Sequence, residues 1–128
     1  MLEVGITGSN EIMVTEELTA EKVGSGLLPV YATPQMIALM ENTASTSVEK
    51  YLDEGAGTVG TKIDVAHVSA TPVGMKVKCE TKLIEIDRKK LVFEVKAYDE
   101  AGLIGEGTHE RFIIDNEKFL AKANGKLA

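Results

Sequence analysis

Residues 33–52 read TPQMIALMENTASTSVEKYL, and the fold is decided by how this stretch is read. Met36, Ile37, Met40, Ala44, Val48, Tyr51 and Leu52 gather on one side when residues advance about 100° each, which predicts one long amphipathic helix over Pro34–Leu52. Thr33 offers a hydroxyl at the N-cap, and Pro34 sits at N1, where its missing N–H costs nothing. Gly55 and Gly57 mark the end. Such a helix, about 19 residues, is about 28 Å long. Downstream the period changes to two. Strand-like runs cover Val59–Ala70, Met75–Asp87 with a phase shift near Leu83-Ile84, and Leu91–Tyr98. A last run follows the turn at Asp99–Gly102, carries Gly102, Gly105 and Gly107, and reaches near Asp115. Upstream, Glu11–Glu17 alternates weakly as a first strand, and Leu18–Val30 reads as a loop with a short helical turn.

One apolar-faced helix followed by strands with connections too short for crossovers requires an antiparallel sheet curled around that helix. This is an α+β hot dog fold, the sheet wrapped around one long central helix. With 128 residues, 44% of them hydrophobic, a single domain over residues 1–128 is expected. A helix flank and an edge strand stay uncovered in so small a unit, so a homodimer or higher homo-oligomer completes it.

Composition excludes several functions. Twenty acidic residues against 14 basic ones give a net charge of -6, and the basic residues are scattered along the chain, so nucleic acid is not an expected partner. Aromatic residues make up 5% with no Trp, which argues against stacking platforms for bases. The lone Cys79 excludes an internal disulfide, and two histidines leave no ordinary zinc site, so no metal or cofactor is expected. The opening MLEVGITGSNEIMV lacks the basic and apolar regions of a secretory signal, and no stretch approaches the roughly 18 apolar residues needed to cross a bilayer. A soluble, cytoplasmic protein without a membrane partner is the expectation.

Few residues are placed to do chemistry. Glu41 projects about 60° from the centre of the helix's apolar stripe, as an inward carboxylate. Buried without a cation it becomes a general base or nucleophile; otherwise it forms an ion pair or reaches solvent. His67 shares a strand face with Ile63 and Val65, either as a satisfied core histidine or as an acid–base group beside Glu41. His109, in the glycine-bearing strand, is a second candidate for that role. Thr33 has its capping task, yet precedes Glu41 by eight residues, about 12 Å along the axis, so the two can line one groove. Free N–H groups of the first turn there favour an oxyanion. Arg111 alternates with Ile113 and either binds an anionic or carbonyl group or forms a surface salt bridge to Glu110 or another acid.

These residues assemble into a pattern. Ala32-Thr33, Leu39-Met40-Glu41, Val59-Gly60-Thr61, Val65-Ala66-His67, Ala70-Thr71-Pro72-Val73-Gly74 and Gly105-Glu106-Gly107-Thr108-His109-Glu110-Arg111 together resemble the fluoroacetyl-CoA thioesterase-like family of hot dog proteins. The resemblance covers nearly the whole chain. It implies a catalytic group of Thr33, Glu41 and His67, contacts to substrate or CoA from Gly60 and Arg111, and hydrolysis of an acyl-CoA thioester by a homodimer with active sites at the subunit interface. Glu41 then attacks the carbonyl or activates water, Thr33 orients the carboxylate, and His67 handles the proton for the departing thiolate. Gly60 lets the backbone approach the acyl group, and its N–H is placed to stabilise the oxyanion. No metal is required, and CoA enters only as part of the substrate.

One departure from the family bears on substrate. The fluoroacetate-specific enzyme carries lid phenylalanines around the catalytic threonine, whereas Thr33 is flanked by Val30, Tyr31, Ala32, Pro34 and Gln35. A different short or medium acyl group is expected. Two other functions fit the same fold: a hot dog hydratase or dehydratase on enoyl- or hydroxyacyl-thioesters, and a non-catalytic acyl-CoA binding module. The former usually carries its histidine in a loop before the helix, where this chain has none.

Overall fold

The computed structural model describes residues 1–127. Five antiparallel strands, β1 (Thr7–Met13), β2 (Ala56–His67), β3 (Lys76–Asp87), β4 (Lys90–Asp99) and β5 (Gly102–Asp115), form one sheet in the order β1-β3-β4-β5-β2. A short helix α1 (Ala20–Val23), the long helix α2 (Thr33–Val48) and a C-terminal helix α3 (Asn116–Asn124) complete the chain. The sheet curls around α2 as the hot dog fold requires. Among the described residues no helix is long and apolar enough to cross a membrane.

Alternation builds the inner face. Val77, Cys79 and Leu83 of β3, Leu91, Phe93, Val95 and Ala97 of β4, and Ile104 of β5 are buried against Met36, Leu39, Met40, Ala44 and Val48 of α2. Phe93 is fully buried, so truncating it to alanine removes about 3–5 kcal/mol. A Cβ at Gly105 would lie 2.5 Å from Met36 Sδ, so a larger residue there would force the buried Met36 side chain to shift. Burial pushes the Cys79 thiol up to about 11, which makes it inert packing.

Several expected boundaries move. The phase shift near Leu83-Ile84 is a bulge in the β3–β4 register between Leu83 and Glu85. The first strand is Thr7–Met13 rather than Glu11–Glu17, because its register is set by pairing with Lys76–Lys82. Its inward positions include Gly8 and Asn10, which hide the alternation from a hydrophobicity reading. The long helix ends at Val48, and a 3-10 turn continues over Glu49–Tyr51. Leu18–Val30 holds α1, which Thr19 caps and Gly24 ends in a left-handed conformation at φ 81°. The helix after Asp115 buries no residue and follows the last expected strand; Asp115 starts it by accepting from the Lys118 N–H at 3.0 Å.

Candidate active site

The flank of α2 that faces β2 and β5 carries two polar groups about two turns apart. Thr33 and His67 form the first. Thr33 is not the N-cap: Ala32 holds that place, and Thr33 is the first helical residue. Its hydroxyl is thereby free of the backbone, and Thr33 Oγ1 lies 2.7 Å from His67 Nδ1 across 34 residues of sequence. Tyr31 stands edge-on to the imidazole with ring centroids 6.4 Å apart. Burial lowers the His67 pKa, so the ring is held neutral. Its Nε2 is buried without a hydrogen-bond partner, with the backbone of Ser69 nearby. A groove of about 280 Å³ runs beside this pair, lined among others by Val30, Tyr31, Thr33, His67 and Ser69.

Glu41 centres the second group. The buried stripe of α2 includes Leu39 and Thr43, which turns its centre away from Glu41. The expected burial of this carboxylate is therefore corrected: its side chain is 43% exposed. Gly60 lies opposite. A Cβ at Gly60 would sit 2.8 Å from Glu41 Oε2, 3.2 Å from His109 Cε1 and 3.4 Å from Arg111 Nη1, so a larger residue there would push the Glu41 carboxylate out of this convergence. A register shift between Gly60 and Lys62 places Thr61 as an extra residue at this point of β2.

Arg111 is buried, not a surface partner of Glu110. Its Nε donates to Thr58 Oγ1 at 2.8 Å, Nη2 to the Thr58 carbonyl at 2.8 Å, and Nη1 to His109 Nε2 at 3.1 Å. The same Nη1 stands 3.9 Å from Glu41 Oε2. His109 donates from Nδ1 to the Lys62 carbonyl at 2.8 Å, which fixes the neutral tautomer that can accept from Arg111. Burial first, and the Arg111 charge in addition, lower its pKa. His109 is thus a structural member of the Arg111 cradle, stacked obliquely near Phe93, and its two nitrogens are both occupied.

This arrangement sets the half-exposed Glu41 carboxylate beside a position of β2 without a side chain and the buried Arg111 guanidinium. The family model described as Fluoroacetyl-CoA-specific thioesterase (FlK) matches residues 14–117. The chain belongs to this family. It is 41% identical over 97 residues to the fluoroacetyl-CoA thioesterase of Streptantibioticus cattleyicolor, covering 76% of this chain and 70% of that protein. A solved structure of fluoroacetyl-CoA thioesterase FlK superposes with a TM-score of 0.94 at 33% identity, covering 98% of each chain. A Thermus thermophilus member of the thioesterase superfamily superposes with a TM-score of 0.88 at 29% identity, covering 97% of this chain and 92% of the other.

As a member of the fluoroacetyl-CoA-specific thioesterase family, the chain places its five expected site residues in two sets. Thr33 joins His67, and Glu41 joins Gly60 and Arg111. Among the described residues no hydrogen bond links Glu41 to Thr33 or His67, so the expectation that Thr33 orients the Glu41 carboxylate is not what the single chain shows. Two residues of the site escaped the sequence reading. Thr58 becomes the anchor of Arg111 only through β2–β5 pairing, which leaves no local signal; Tyr31, adjacent to the Ala32-Thr33 motif, did have one. No group of three or more His, Cys, Asp or Glu side chains among the described residues is arranged to hold a metal ion.

Proposed function

We propose that Thr33, Glu41 and His67 carry the acyl-CoA thioester hydrolysis performed by this chain, with Gly60 and Arg111 receiving the substrate. The convergence of Glu41, Gly60 and Arg111 supports this most: a carboxylate stands beside a backbone stripped of its side chain and a guanidinium whose other donors are already committed. Glu41 activates water or attacks the thioester carbonyl, and the oxyanion is met by the Gly60 N–H and the Arg111 edge. His67, aligned by Thr33, takes up at Nε2 the proton released as water is activated and passes it to the departing thiolate. No cofactor is needed. The groove of about 280 Å³ beside Thr33 and His67 suits a short or medium acyl group.

The working unit is a homodimer of one-domain chains. β2 ends the sheet with an unpaired edge 12 residues long, which invites a second copy. Two β2 edges paired antiparallel about a two-fold axis near Ile63 and Asp64 would carry the His67 end of one protomer alongside the Gly60 end of the other and bring the two residue sets together across the interface. A cytoplasmic setting accords with the free thiol of Cys79.

Thiol release from an acyl-CoA panel tests the chemistry: turnover is expected for at least one substrate and is lost in Glu41→Gln. No turnover above that variant on any substrate overturns it. Co-expression of Glu41→Gln with His67→Ala tests the shared site. Mixed dimers are expected to regain activity that neither variant has alone, and failure to regain it assigns each site to one chain.

A further inference from the structure

Along the sequence the basic residues are scattered, and the few aromatics argue against stacking platforms for bases. Folding reverses both at one end of the sheet. The β3–β4 turn presents Arg88, Lys89 and Lys90, and its Lys89 carbonyl accepts from the Ile113 N–H at 2.9 Å, tying the turn to β5. Helix α3 leaves directly from β5 and lays Lys118 and Lys122, four residues apart on one face, along the same edge. Five of the chain's 14 basic residues therefore line two adjoining grooves, of about 440 and 290 Å³, with Asp115 and Asp87, the latter 3.7 Å from Arg88 Nε, as the acids among the lining residues.

Two of the three phenylalanines lie among these cations. Phe112 and Phe119 are 42% and 45% exposed, whereas Phe93 is fully buried. On a chain of net charge -6, a cationic patch holding exposed rings is a local exception that serves an anionic, planar ligand.

We propose that this patch binds the 3′-phosphorylated ADP end of CoA, the lysines taking the phosphates and Phe112 or Phe119 the adenine face. The inference rests on the acyl-CoA reading of the Glu41 site. It also follows the strand register. Arg111 pairs with Gly60 and Leu91, and the next residue, Phe112, pairs with Val59 and Lys90, so the patch begins where the Glu41 site ends. Alternation puts Phe112 on the outer face of the sheet, and the flexible pantetheine arm is the part of CoA that rounds its end. Charge complementarity selects this ligand, because three phosphates and a purine match both the cations and the rings.

Titration calorimetry with CoA and with adenosine 3′,5′-bisphosphate tests the patch without requiring turnover. Both are expected to bind the wild type, more weakly as salt rises, and to lose about tenfold in affinity in Lys118→Glu/Lys122→Glu, whose helix content is checked by circular dichroism. In turnover, the preference for an acyl-CoA over the same acyl group on pantetheine, as a ratio of kcat/KM values, falls about tenfold in that variant. Unchanged CoA affinity in the variant overturns the proposal, as does tighter binding of a short oligonucleotide than of CoA. Absence of all thioester turnover by the wild type would instead strike the hydrolase reading, while calorimetry still decides the patch.

Discussion

At the start of α2, Thr33 and His67 share one hydrogen bond and leave a ring nitrogen open; two turns later, Arg111 has three donors committed, His109 has both nitrogens occupied, and only Glu41 keeps its freedom. The first set is sparse, with Thr33 exposed and His67 partly buried, the second dense around a buried cation. Each pattern has a physical reason. A group that must move a proton needs an unpartnered atom, whereas a guanidinium held away from water is tolerable only with its donors satisfied. The loose pair therefore reads as reactive and the tight one as a frame, with Glu41 as the reactive member that the frame presents.

That contrast is exposed to experiment. The largest effect is expected at Glu41, where exchange to glutamine lowers kcat about 10³-fold or more with the fold intact; a loss no larger than tenfold would make the carboxylate part of the frame. Gly60→Ala comes next. Its Cβ falls 2.8 Å from Glu41 Oε2 and 3.2 Å from His109 Cε1, so kcat drops about 10²-fold in steady-state thiol release.

Stability separates the two sets in the opposite sense. Arg111→Met strips the partners from His109 Nε2 and the Thr58 carbonyl, and about 2–3 kcal/mol of unfolding free energy is lost in urea titration. Thr33→Ala costs less than about 1 kcal/mol, since an exposed helix-start residue without a capping bond holds little of the fold. Equal losses would remove the distinction between frame and reactive pair.

The smallest effect is expected from pH. Both histidines have folded pKa values lowered by burial, so below about 6.5 the unfolded chain takes up protons that the native chain refuses. Their stability contribution is complete above that pH and is lost as pH falls through it. Unfolding curves at pH 7.5 and 5.5 should show the loss, and His109→Asn should flatten the dependence more than His67→Asn, because His109 is 1% exposed.

The helix, the period change, the bulge after Leu83 and the antiparallel wrap were all legible, because each is written in spacing along a short stretch. Position on that helix singled out Glu41 but misjudged its burial, since Leu39 and Thr43 widen the stripe on the far side. Strand alternation points to His67, and the family resemblance sets Thr33 in the same group; local spacing alone gives Thr33 to the helix N-cap, where Ala32 stands instead, and pairs it with Glu41 rather than with His67. Arg111 was left between two readings that local charge could not separate. Its anchors, Thr58 and His109's bond to Lys62, lie 53 and 47 residues from their partners.

By itself the sequence determined what depends on periodicity and on the types of residues available: one helix wrapped by an antiparallel sheet, a carboxylate on its flank, and so few histidines that attention fell on His67. Tertiary structure decided which of these groups meet. Pairing of β2 with β5 created the Arg111 frame, and the return of α3 onto the sheet's end gathered Arg88, Lys89, Lys90, Lys118 and Lys122 into one patch. The reason is that hydrophobic spacing is a property of neighbours in the chain, whereas a site is a property of neighbours in space, fixed only when the register closes.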